Sequence, residues 1–122
     1  MTSAFTQFLA ELVENVPGAI GAIIQDVEGE TVEAVGHLSD FDLMVHAAHW
    51  GLLWRDLQQA VNANKLQEIQ QIWFQTTCQK VVITTLFDEY YLVFILSKET
   101  VIIEALRILD RQLYAIRQEM GL

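Results

Sequence analysis

Seven basic side chains against sixteen acidic ones, one cysteine and one proline are the scarcities that first narrow this 122-residue sequence. A net charge of −9 leaves no positive footprint for phosphate, so neither nucleic acid nor an anionic membrane surface is expected as a partner. Cys78 stands alone, which excludes a disulfide framework and a CxxC metal or redox pair. Its position near a strand junction reads as a buried structural thiol, with no base and orienting group for nucleophilic work. No apolar run approaches the roughly 20 residues of a membrane span. Residues 1–7 lack the basic start and apolar block of a secretory signal. The GxxxxGK[ST] loop, the Gly-rich dinucleotide turn and the GxSxG elbow are all missing, so no cofactor and no catalytic chemistry is expected. A reduced, cytoplasmic protein is the simplest reading.

What is present is an apolar, globular composition, 52% hydrophobic and 19% charged. It carries no repeat or linker, and 1–122 reads as a single domain long enough to bury a core. Residues 2–15 predict a helix with Phe5, Phe8, Leu9, Leu12 and Val16 on one face and Thr2 or Ser3 as its cap. Pro17-Gly18 stops it. Residues 19–25 form a short continuous apolar run, the pattern of a strand covered on both sides. Asp26-Val27-Glu28-Gly29 is a tight turn into an alternating strand over 30–35, so the pair makes a hairpin.

The central helix, 41–61, is the unusual element. At about 100° per residue, Leu43, Ala47, Trp50, Trp54, Leu57 and Val61 fall on one arc. Phe41, Val45, Ala48 and Leu52 fall on a second, nearly opposite arc. Asp42, His46, His49 and Asp56 fill one strip between them, and Met44, Gly51, Arg55 and Gln58 line the other. A helix lying on its own domain needs only one apolar stripe. The Trp-bearing arc is the larger, so it is expected against the sheet. The second arc then needs a cover, and another protein chain is the expected one.

Asn62-Ala63-Asn64-Lys65 ends that helix, and three strands follow, at about 67–76, 79–87 and 90–96. The first has a broken alternation that suggests a bulge or an edge position. Asp88-Glu89 turns the second into the third, whose apolar run requires a central place. Residues 97–100 are expected to cap a final helix to about 120, with Ile102, Leu106, Leu109, Leu113 and Ile116 inward. The order is α-β-β-α-β-β-β-α, and hairpin-length loops make the five strands one mainly antiparallel sheet. Strands apolar on both sides require cover on both faces. The expected fold is therefore a three-layer α/β/α arrangement of the α+β type, terminal helices on one face and the central helix on the other.

Two polar clusters invite a chemical reading. Asp42, His46 and His49 share one helical strip, as a metal site would require, with Asp56 one to two turns on. No second element supplies ligands, so a solvated strip separating two apolar arcs is the reading. Asp26, Glu28, Glu30 and Glu33 lack the ligand series of a calcium loop, so they read as a turn.

Val16-Pro17-Gly18 leading into Gly21 to Gly29, the Asp-x-x-Gly hairpin, the strand ending Leu92-Val93-Phe94-Ile95-Leu96 and the long closing helix together resemble the roadblock family. That family includes dynein light chains and bacterial regulators of Ras-like GTPases, the MglB type among them. The similarity covers about 5–118. It implies a homodimer in which the strand at about 69–76 pairs with its twin and the two central helices lie side by side. It also implies that the paired helices contact a Ras-like small GTPase and promote GTP hydrolysis without supplying a nucleotide site. The candidate dimer and partner interface is accordingly Phe41, Val45, Ala48, His49, Leu52 and Arg55 on the helix, with Ile72 and Phe74 on the strand. An assembly adaptor for a motor or signalling complex is the rival expectation, and a small-molecule sensor a third, though the layers read as filled.

Overall fold

The computed structural model describes residues 3–63, 68–87 and 89–121. Eight elements follow in the order α1 (Ala4–Asn15), β1 (Ala19–Asp26), β2 (Thr31–Gly36), α2 (Asp40–Ala63), β3 (Gln71–Gln75), β4 (Gln79–Phe87), β5 (Tyr90–Ser97) and α3 (Ile102–Glu119). The expected Thr2 cap, the Asn64-Lys65 helix end, the start of the third strand at 67 and Asp88 in the last turn lie outside the described residues.

The five strands form one sheet in the order β2-β1-β5-β4-β3, each neighbouring pair antiparallel. Chain order explains the middle. β5 slots between β1 and β4, so it is flanked on both edges and covered on both faces, which is why residues 91–96 are all buried. Strand alternation then divides its side chains. Leu92, Phe94 and Leu96 join Phe8, Leu9 and Leu12 of α1 and Leu109 and Leu113 of α3 in one core. Tyr91, Val93 and Ile95 join Leu43, Ala47 and Trp54 of α2 in the other. Three layers result, with the terminal helices on one face and α2 on the other.

Local chemistry sets the ends of the elements. Ser3 caps α1, its hydroxyl accepting from the Thr6 amide at 3.1 Å. In the β1–β2 turn, Asp26 Oδ1 accepts from the amides of Glu28 (2.9 Å) and Glu30 (3.0 Å), and Gly29 takes φ +88°. The start of α3 differs from expectation. Its N-cap is Val101, with no side-chain cap. The Ser97 and Thr100 hydroxyls meet each other at 3.2 Å, and Thr100 Oγ1 donates to the Pro17 carbonyl at 3.4 Å. Those groups knit the β5–α3 turn to the α1–β1 turn, ahead of the position where the helix starts.

Two further expectations change. The third strand is only Gln71–Gln75, shorter than expected; of the two expected readings it takes the edge position, with no bulge in its pairing with β4. Cys78 is exposed in the β3–β4 turn, where Thr76 Oγ1 accepts from the amides of Cys78 and Gln79, both at 3.1 Å. The three-residue connection, 76–78, between paired strands puts that side chain at the hairpin tip, away from either core. Among the described residues, no helix is long and apolar enough to cross a membrane.

Candidate interaction surface

α2 begins at Ser39, whose hydroxyl accepts from the Asp42 amide at 3.1 Å and whose carbonyl accepts from the Leu43 amide at 3.0 Å. Asp40 and Asp42 in the first turn complement the positive end of the helix dipole. Leu43, Ala47, Gly51 and Trp54 are buried against the sheet. The opposite side is apolar and open: Phe41 is 74% exposed, Leu52 55%, and Met44 and Val45 51% each. Ala48, also exposed, lies between them. Spacings of three, four, seven and eleven residues from Phe41 make this one continuous stripe along the helix.

The flank toward β3 is aromatic. Trp50 is half-buried and meets Phe74 edge-on at 4.9 Å, and the exposed His49 ring meets Trp50 edge-on at 4.4 Å. Ile72 and Phe74 pack partly against the α2-side core. Among the described residues, no acceptor reaches the buried Trp50 Nε1. Between Ile72 and Phe74, Trp73 points to the other face and is 47% exposed. The outer edge of β3 has no strand beside it among the described residues.

No protein-family model matches the chain, and no curated protein matches it in sequence. Solved structures do match. A Roadblock/LC7 domain from Streptomyces avermitilis superposes with a TM-score of 0.81 at 14% identity, over 95% of this chain and 97% of that one. MglB from Myxococcus xanthus superposes with a TM-score of 0.80 at 12% identity, over 98% of each chain. An MglB in a tetrameric arrangement gives 0.77 at 16% identity, over 95% of this chain and 88% of that one. The chain has the roadblock fold.

On this roadblock fold the sequence-based interface residues separate into three groups. Phe41, Val45, Ala48 and Leu52 share the open stripe, and Met44, assigned from sequence to a lateral strip, is as exposed as Val45. His49, Ile72 and Phe74 line the β3 flank. Arg55 turns inward. Its Nη1 donates to the Tyr91 hydroxyl at 3.0 Å, and the Tyr91 hydroxyl donates to the buried Gln25 Oε1 at 2.6 Å. The guanidinium also lies over Gly29, where a Cβ would come within 2.5 Å of Nη1. Burial raises the Tyr91 pKa, Arg55 offsets part of that rise, and Asp26 adds to it. The phenol therefore stays protonated and keeps donating.

Gly51 is the main correction on the helix. It sits on the sheet-facing side rather than the lateral strip, directly over Gln25 and Tyr91. Trp73 is the residue missed on the strand. Strict alternation about Ile72 and Phe74 was the available signal for it. Asp42, His46, His49 and Asp56 form no cluster of three metal-ligating side chains among the described residues.

The relay is testable. Tyr91→Phe strands the Gln25 oxygen in the core and releases Arg55, and an unsatisfied buried polar group costs about 1–3 kcal/mol. Urea unfolding should show a loss in that range. Stability equal to the parent would mean the hydroxyl carries no weight.

Proposed function

We propose that residues 1–122 act as one non-catalytic, homodimeric roadblock module in the cytoplasm that binds and regulates a Ras-like small GTPase, with acceleration of GTP hydrolysis as the regulatory effect. The observation that carries this reading is the open apolar stripe of α2, Phe41, Met44, Val45 and Leu52 all more than half exposed on a helix whose other side is already sealed. An apolar surface of that continuity is relieved by a protein partner. The open edge of β3 offers a second copy the backbone groups of a strand. Asp40, Asp42 and Asp56 border the stripe and Arg55 is occupied elsewhere, so the rim favours a basic partner surface.

Leu52→Glu tests the reading. Replacing an exposed side chain changes monomer stability by about 0.5 kcal/mol or less. A buried unpaired carboxylate in an interface costs far more, so binding should weaken at least tenfold, about 1.4 kcal/mol. The measurement is sedimentation, together with pull-down of a GTP-loaded Ras-like GTPase, taken from a small-GTPase gene if one is found beside that of this chain. A dimer and a pull-down both unchanged by Leu52→Glu would sink the proposal.

The second reading is an assembly adaptor that holds a client segment by strand addition. The free β3 edge supports it. Capture of an extended peptide without any response to a GTPase would favour it.

A further inference from the structure

One end of the sheet carries an opening that the α2 stripe does not use. The β1–β2 turn, the end of β4 and the start of β5 meet the C-terminal half of α2 around a cavity of about 320 Å³. Val27, Trp54, Phe87, Tyr90 and Tyr91 wall it, and Arg55 lines it with them. Trp54 and Tyr91, buried and stacked at 6.2 Å, make the deep wall, whereas Val27 is 56% exposed. Phe5 touches the Phe87 and Tyr90 rings, at 5.8 and 6.0 Å between centroids, and holds both in place. Ligand sites commonly enclose about 300–1,000 Å³ and are mostly apolar and aromatic, with a few placed polar groups. This cavity has that size and that lining.

Arg55 supplies the polar group. Its Nη1 donates to the Tyr91 hydroxyl at 3.0 Å and its guanidinium lies over Gly29, so the head group is held from two sides. The hydroxyl takes only one of the five N–H donors. Among the described residues no carboxylate pairs with this cation. Asp26, in the adjoining turn, gives Oδ1 to the amides of Glu28 and Glu30. Gln58, one helical turn on, spends both ends of its amide on the Ile69 backbone, at 2.7 and 3.0 Å. A positioned, partly buried guanidinium with unspent donors and no counter-ion is suited to a carboxylate, which matches its fork geometry.

The geometry points to this cavity as a binding site for a small monocarboxylate with a flat apolar body, the carboxylate on Arg55 and the body against Phe87 and Tyr90. Charge limits the ligand to one negative group. The exposed Glu68 also lines the cavity, and the chain as a whole carries −9, so a dianion such as a phosphate monoester is repelled where a single carboxylate is offset by Arg55. The site goes beyond the regulator reading and does not depend on it, since every group in it comes from one chain.

Hydrocinnamate is the probe, set against hydrocinnamide, which keeps the shape and removes the charge. Each is titrated into the full isotope-labelled chain and followed by NMR at the Gly29 amide and the Trp54 indole N–H. The acid should move both signals to saturation, and the amide should bind about tenfold more weakly. That comparison is made on the parent chain, so it does not rest on a variant that folds. Arg55→Gln should then bring the acid down to the affinity of the amide. Tyr91→Phe, which keeps the cation and removes only its acceptor, should preserve a preference for the acid. Equal binding of acid and amide by the parent, or no saturable shift with the acid at millimolar concentration, overturns the site. Tighter binding of phenyl phosphate than of hydrocinnamate overturns the ligand class.

Discussion

Gly51→Ala should lose about 3 kcal/mol, although alanine in a helix interior normally gains about 1 kcal/mol over glycine. A Cβ at position 51 would lie 2.4 Å from Gln25 Oε1 and 2.6 Å from the Tyr91 hydroxyl. Those atoms end longer side chains, which elsewhere could step aside. Here Gln25 is 1% exposed and Tyr91 3%, and the 2.6 Å bond joins them to each other. Overpacking costs about 1–3 kcal/mol, and breaking the buried bond adds about 1–3 kcal/mol. Together they outweigh the propensity gain. The fall should appear as a lower urea midpoint and a melting point reduced by about 10 °C. In a Tyr91→Phe background the same substitution should cost less, because one of the two colliding atoms is gone, and that non-additivity is the signature of contact. A Gly51→Ala chain as stable as the parent would mean that α2 rides higher over Tyr91 than described.

The same position shows where reading the sequence stopped. Period and turn chemistry were enough for α1, the β1–β2 hairpin with Asp26 and Gly29, and the two apolar sides of α2, because each is a local pattern. β4 appeared at residues 79–87 for the same reason. Gly51 was misplaced because it sits about 80° around the helix from Leu43, at the border between strip and core, and glycine carries no polarity to decide the matter. What decides it is a partner far off in the chain: the Tyr91–Gln25 bond spans 66 residues. Arg55 was assigned to the interface on similar grounds, since a long cation on a helix flank is usually solvated. Its Tyr91 acceptor, 36 residues away, leaves no local mark. Ser97 and Thr100 carry a legitimate capping pattern, but the N-cap falls one residue later, at Val101, and their hydroxyls meet each other and the Pro17 carbonyl instead. The open stripe was legible because too much apolar surface is a surplus one helix shows by itself.

That stripe works as a surface only if α2 is held rigidly beneath it, and two close approaches do the holding. One is Gly51 over the Tyr91 relay, toward the C-terminal half. The other is at the start of the helix, where Leu43 descends between Gly21 and Gly36, which are paired across β1 and β2. Without side chains, these glycines leave the gap that Leu43 Cδ2 fills. Leu43 is 1% exposed, so the first two turns of α2, with Phe41, Met44 and Val45 pointing out, are anchored chiefly through it.

Gly36→Ala should therefore be at least as damaging as the change at Gly51, with a loss of about 3 kcal/mol or more. A Cβ at position 36 would sit 2.6 Å from the Ile20 carbonyl oxygen and 2.7 Å from the Gly21 Cα, with Leu43 Cδ2 at 3.2 Å. The first two are backbone atoms, so relief requires β1 and β2 to part. The His37 amide donates to that same Ile20 carbonyl at 2.8 Å, so parting breaks a bond at the end of the hairpin as well. Overpacking of well-packed sites costs about 1–3 kcal/mol even where side chains can adjust, and here the neighbour is the chain itself. The usual gain of about 0.4–1 kcal/mol from restricting the unfolded glycine is too small to compensate. Hydrogen exchange gives a second readout. The amides at 42–47 should exchange faster in Gly36→Ala than in the parent, whereas an exposed change such as Leu52→Glu should leave them protected. Binding at the stripe should weaken in both variants, but only Gly36→Ala should pair that weakness with a loosened first turn. Intact protection at 42–47 alongside lost binding would mean that Leu43 and its glycine cradle do not position the surface.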